Sequence, residues 1–342
     1  MKGATRVKAM AGYIWVRLVR RVSRNNLHMA WSDSDLPALL DRINLDPASG
    51  QGSSGSQRFV RLGQSRFEAL EYAARDEPLL GEMLDCLRRY NAEEYPHATG
   101  SFESHLLGTW HILACWRQPT AVTRCGLFHS AYATDVYPRA LISPDSRDKL
   151  RALIGESAEA LVFFFCTLNR RELISDLIRF GTIPSDGMQV SNWTTGEHLI
   201  APARLLGAYV TIELANLAEQ SRGIGGGPGG WMAMGSKLAA LLPGNAERVP
   251  SIFNACRNGI TRSDELRARR LYVAARRGKI RPDVLTGAVE ANPWVAEPLL
   301  DLAIHEGDRV RAREAEKLLL QWGTSWDKRR KWSEMLATAR GL

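Results

Sequence analysis

A chain of 342 residues is long enough for one large domain or two ordinary ones, each with its own core. At 45% apolar and 24% charged residues it has the composition of a globular protein, which excludes fibrous and fully disordered classes. The formal charge is +8, and residues 1–28 carry seven Lys and Arg with no acid, so the remainder is nearly balanced and nucleic acid is not expected as a partner.

Taken in chain order, Ala9 to Val16 is apolar but far too short to span a bilayer. It has cationic flanks on both sides and no small-residue cleavage pattern, which argues against a secretory signal. A basic amphipathic anchor, an arm that attracts nucleic acid and a solvated extension remain open for it. Residues 45–57 are rich in Gly and Ser and read as a linker, so 1–57 form a basic extension plus linker. A second break is the glycine run at 223–235, read as a hinge; no Gly-Lys-Ser/Thr follows it and no strand precedes it, so it is not a phosphate loop. Two compact parts follow, 58–222 and 236–342.

Apolar residues recur at helical spacing in both parts. Leu79, Leu80, Met83, Leu84 and Leu87 form one stripe; Leu150, Leu153, Ile154, Ala158 and Leu161 form another. Asp145 or Ser146 is placed to cap the latter, with Gly155 a weak point inside it. Val162 to Cys166 is apolar on all sides and fits a buried central helix better than a strand. The irregular stretch 182–200 is long enough to be a lid or a short hairpin. Beyond 236, helices are expected at Arg267 to Arg277, Pro282 to Glu290, Ala296 to Ile304 and Arg311 to Trp322, with turns at Gly278, Asn292-Pro293 and Gly307-Asp308. Paired helices of this kind suggest tetratricopeptide-like stacking and a protein partner at the C-terminal helices. In the tail, Trp326 and Trp332 lie among four cations, where they could stack under arginine or pack the end of the helical stack. The fold class read from this pattern is all-α. The five cysteines are scattered, with no Cys-x-x-Cys, which fits buried thiols in a reducing, cytoplasmic setting.

The stretch Ser104-His105-Leu106-Leu107-Gly108-Thr109 and the later Gly126-Leu127-Phe128-His129-Ser130-Ala131-Tyr132 place two histidines 24 residues apart in apolar helical frames. Neutral imidazole is the commonest metal ligand among side chains, so two helices could bring His105 and His129 together as half of a metal site. The alternative is a pair of core histidines hydrogen-bonded to Ser130, Thr109 or backbone.

These motifs, with the Arg147 to Glu156 stretch ending Ile-Gly-Glu, resemble an HD-like helical family in which His-Ser replaces His-Asp. The resemblance covers about 90–220 and extends to the hydrolase half of the guanosine-tetraphosphate enzymes. The family pattern has Tyr-Gly-Thr where this chain has Tyr132-Ala133-Thr134. The resemblance implies a divalent metal (iron, manganese or zinc) held by His105, His129 and a later residue, whose position here is Asn216. The two carboxylates of the HD motif are thus replaced by Ser130 and Asn216, both neutral. Two imidazoles alone give a divalent ion no charge compensation. Asp135, Glu213 or His111 could make up the deficit, the first two also as catalytic groups, and Arg139, Arg147 or Arg170 could neutralise a phosphate. The expected function is a metal-dependent hydrolase of a phosphorylated or nucleotide-like small molecule, or an iron and dioxygen variant of the same fold. The alternative is a non-catalytic HD-like module that binds a metabolite or partner, with the C-terminal helices as the interaction domain.

Overall fold

The computed structural model describes residues 27–39, 42–43, 45, 77–97, 100–220, 230–242, 249–250, 252–277 and 280–322. Most of the basic extension, nearly all of the linker, residues 223–229 of the glycine run, the expected turn at Gly278 and the Trp326/Trp332 tail lie outside them. The chain divides into two compact units: Met1–Leu45 with Phe128–Tyr209, and Asp46–Leu127 with Val210–Leu342. The described residues are mostly helical, as the periodicity predicts. The helices are α1 (Leu36–Leu39), α2 (Leu80–Arg89), α3 (Phe102–Cys115), α4 (Thr120–Phe128), α5 (Arg147–Ile154), α6 (Glu156–Thr167), α7 (Arg170–Phe180), α8 (Ala203–Gln220), α9 (Met232–Ala239), α10 (Ile252–Cys256), α11 (Arg262–Ala275), α12 (Pro282–Ala291), α13 (Ala296–Glu306) and α14 (Arg309–Trp322). Two small antiparallel hairpins complete the described structure: β1 (Pro96–His97) with β2 (Gly100–Ser101), and β3 (Met188–Ser191) with β4 (His198–Ala201). Among the described residues no helix is long and apolar enough to cross a membrane.

In the first unit, α6 is the central helix, buried at every position from Ala158 to Thr167. The apolar stripe read from 150 to 161 does not run as one helix. Gly155 adopts φ +89°, ending α5 and starting α6, a conformation that glycine reaches without a Cβ penalty. Ahead of α5, Ser143 rather than Asp145 or Ser146 provides the cap: its hydroxyl accepts the Asp145 N–H at 3.3 Å and opens a short 3-10 turn at Pro144–Ser146. The irregular stretch 182–200 contains the β3–β4 hairpin, with Met188 opposite Ala201 and Ser191 opposite His198.

Residues 29–39 belong to this unit's core. The Trp31 indole donates to Thr167 Oγ1 at 2.8 Å and stacks on Phe164, while Leu36 and Leu39 are buried. Glu197 accepts the backbone N–H groups of Trp31 (2.7 Å) and Ser32 (3.1 Å). Burial pushes the Glu197 carboxyl up, but hydrogen bonds from Ser32, Trp31 and Thr195 outweigh it and bring the carboxyl down to about 2.

In the second unit, α3 is buried from Phe102 to Leu113 apart from Ser104, with Glu103, His105, Thr109 and His111 among its buried residues. Ser101 caps it, accepting the Ser104 N–H at 3.1 Å. A bidentate Arg124–Glu77 pair, 2.8 Å on both contacts, fixes the chain ahead of α2. The helices α11 to α14 follow the expected boundaries closely, except that α11 starts at Arg262, five residues early, because Thr261 and Asp264 form a capping box. Pro282 opens α12 and Gly307, at φ +69°, closes α13. Tyr272, Ala275, Leu285, Ala288 and Leu302 form one core of this region; Ala296, Leu300, Ala303, Ala312 and Ala315 form a second. All five cysteines are free, and four are buried.

Candidate functional site

His105 lies one turn into α3 with 1% of its surface exposed. Its Nδ1 meets Glu219 Oε2 in a direct contact, and Glu219, in the last turn of α8, is itself buried. Gly108 makes this approach possible. A Cβ built at that position would lie 2.7 Å from Glu219 Cγ and 3.0 Å from Oε1. A glycine inside a helix costs about 1 kcal/mol relative to alanine; here it opens the notch that admits the Glu219 side chain. Because the carboxylate accepts from Nδ1, it selects the imidazole tautomer protonated there. Thr109, one turn on from His105, donates its hydroxyl to the His105 carbonyl at 3.1 Å and so acts on the backbone.

Asn216 lies one turn before Glu219 and is buried. Its amide donates to Glu213 Oε2 at 3.3 Å, and its Oδ1 accepts from Gln220 at 3.1 Å. The oxygen that a cation would need from Asn216 therefore already serves a neighbour on the same helix. The His111 ring lies 3.7 Å from Cys115 Sγ at the nearer nitrogen. Burial lowers His111 to about 4 and pushes the Cys115 thiol up to about 12, so both are neutral near pH 7.

The remaining expected site residues belong to the first unit. His129, 1% exposed, packs edge-on against Phe165 with centroids 5.4 Å apart, and its carbonyl accepts the Cys166 thiol at 3.3 Å. The Arg170 guanidinium lies 4.8 Å from the same Phe165 ring, so His129 and Arg170 meet on one aromatic side chain. Asp135 is buried, while Arg139 is exposed. Arg147 is committed to carboxylates: it donates to Glu159 at 2.7 and 2.9 Å and to Asp35 at 3.2 Å, over the Phe163 ring. Between His129 and Asp135, Ala133 adopts φ +78°. Glycine reaches that left-handed conformation without the Cβ penalty that Ala133 carries.

A divalent ion of the HD type fits this donor set poorly. Ser130 and Asn216 are neutral, Asn216 Oδ1 is engaged, and among the described residues no group of three or more His, Cys, Asp or Glu side chains converges as a metal requires. Glu219 is the residue that sequence reading missed; its signal was Gly108, three residues beyond His105 inside a buried helix.

Neither a curated protein nor a solved structure matches the chain. Residues 86–170, about a quarter of the chain and the stretch that holds both histidines, match the family model of a domain of unknown function (DUF6817).

Proposed function

We propose that this chain is an HD-like scaffold without hydrolase chemistry, which recruits a partner through its C-terminal helices. The observation that carries the reading is the engagement of the Asn216 side chain, whose amide donates to Glu213 and whose Oδ1 accepts from Gln220. A buried polar group needs a partner, and these groups supply one another. The C-terminal helices support the second half of the reading. The first residues of α11 and α13, Arg262 and Ala296, are 34 residues apart, the period of a tetratricopeptide unit. Alanines at 275, 288, 303, 312 and 315 are buried in the cores that these helices form.

A metal-dependent hydrolase is the second reading, and the His105–Glu219 dyad is what favours it. A carboxylate on one imidazole nitrogen commonly orients a histidine whose other nitrogen binds metal. On that reading His105, oriented by Glu219, would be one ligand of the ion. When bound, the ion would lower the pKa of a water molecule and so supply hydroxide near neutral pH.

Elemental analysis of the full chain purified under reducing conditions, with a His105→Gln/His129→Gln double variant beside it, separates the two. A panel of phosphomonoesters and nucleotides is assayed on both proteins. The scaffold reading expects substoichiometric metal in both and no turnover above the double variant. Near-stoichiometric iron, manganese or zinc that the double variant loses, or turnover that it abolishes, would overturn the reading in favour of the hydrolase.

A further inference from the structure

The near balance of charge outside the N-terminal extension conceals a strong local excess. Residues 257–281 carry nine cations against two acids. Part of that charge is used within the fold. Arg262 is paired with Glu265, Arg276 with Asp301 at 2.6 Å and Arg281 with Asp283 at 2.9 Å. Arg267, Arg270 and Arg277 are placed differently. The buried residues of α11 are Glu265, Ala268, Tyr272 and Ala275. At about 100° per residue, Leu266, Arg267, Arg270 and Ala274 fall on the opposite side, and all four are exposed. Arg277, also exposed, follows in the turn that ends the helix, where its N–H bonds to Ala274 O. Arg267 lies near Asp264, whose carboxyl is held below its ordinary range by Thr261 hydrogen bonds with help from Arg267. Among the described residues, Arg270 and Arg277 meet no acid. Aliphatic side chains flank the cations, since Leu266 and Ile280 are each 40% exposed.

We propose that the outer face of α11, built from Leu266, Arg267, Arg270 and Arg277, docks an acidic protein segment that interleaves carboxylates with aliphatic residues. Guanidinium forks match carboxylates bidentately, and the exposed leucine and isoleucine provide the apolar contact that such a segment would bury. The chemistry of this face disfavours nucleic acid. Binding to single strands rests on exposed rings on which bases stack, whereas Tyr272, the one aromatic residue of α11, is buried. The inference rests on the reading of the C-terminal helices as the recruiting part. It is independent of what happens at His105, so metal or turnover found there would leave it standing.

The test is fluorescence anisotropy with the full chain. The probes are a short labelled peptide of alternating Glu and Leu, its Gln-for-Glu counterpart, and a single-stranded oligonucleotide of the same charge as the acidic peptide. The acidic peptide should bind, weaken as salt rises, and lose about tenfold or more in affinity in an Arg267→Gln/Arg270→Gln/Arg277→Gln variant. Leu266→Ser should weaken the peptide while leaving the oligonucleotide unaffected. The altered side chains are exposed, so both variants should keep the wild-type thermal midpoint. The proposal fails if the acidic peptide does not bind or binds the triple variant as it binds wild type. It also fails if the oligonucleotide binds more tightly than the peptide and Leu266→Ser changes neither.

Discussion

Glu159 and Glu219 are both buried carboxylates, and they hold their units together in different ways. Glu159, fully buried in α6, accepts from Arg147, from Arg151 at 3.2 Å and from the Tyr132 hydroxyl at 3.0 Å. Burial alone would pull the Arg147 pKa down, but hydrogen bonds and charge from Glu159 hold it above its ordinary range. Burial, reinforced by Glu159, pushes Tyr132 up. Arg147 and Tyr132 are thus both held in their protonated forms, and the cluster clamps α5 and the Tyr132 hydroxyl onto α6. Glu219 instead meets an imidazole, the one side chain whose ordinary pKa lies near neutrality. The comparison teaches that a motif histidine can be claimed from within the fold by the same device, a buried carboxylate, that elsewhere fixes two arginines.

The largest effect should come from breaking the clamp. Glu159→Gln removes the carboxylate that accepts from the Tyr132 hydroxyl and, among the described residues, leaves Arg147, 14% exposed, paired with Asp35. Losing one member of a buried ion pair costs about 3–5 kcal/mol, and urea unfolding should show a loss of that order. Gly108→Ala probes the other site through shape. The added Cβ falls 2.7 Å from Glu219 Cγ, and overpacking of this kind costs about 1–3 kcal/mol. Glu219→Gln retains an oxygen acceptor for His105 but loses the charge, so unfolding should register about 1 kcal/mol. If Glu219→Gln instead matched Glu159→Gln, the two carboxylates would be equivalent clamps and the contrast would fail.

The smallest effect is local and depends on pH. Glu197 has a folded pKa of about 2, below its ordinary 4.5, so its contribution is full above about 4.5 and is lost as pH falls towards 2. Hydrogen exchange of residues 29–36, corrected for the intrinsic rate, should lose protection across that window. In Glu197→Gln the same protection should be low throughout.

The helical elements were legible because apolar spacing reports which face of each helix is buried. The boundaries of α12 to α14 followed directly from Pro282, Gly307 and the stripes between them. Gly155 was misread because periodicity continues across it: Leu150, Ile154, Ala158 and Leu161 stay in step although φ +89° splits the helix. Partnerships were far less legible. Arg147 looked like a phosphate ligand because nothing local reveals a salt-bridge partner twelve residues on and one helix away. The His105–Glu219 contact spans 114 residues, and only the cost of Gly108 in a buried helix hinted that something polar approached there.

The central claim of the proposed reading is that His105 serves its contact with Glu219 without also binding a metal through its other ring nitrogen. Long-range proton–nitrogen NMR of the imidazoles, assigned with His105→Gln and followed through a titration with zinc, tests it most directly. The account predicts a His105 ring protonated at Nδ1 whose nitrogen shifts stay unchanged as zinc is added. A stoichiometric shift of the His105 nitrogens, accompanied by His129, would contradict it.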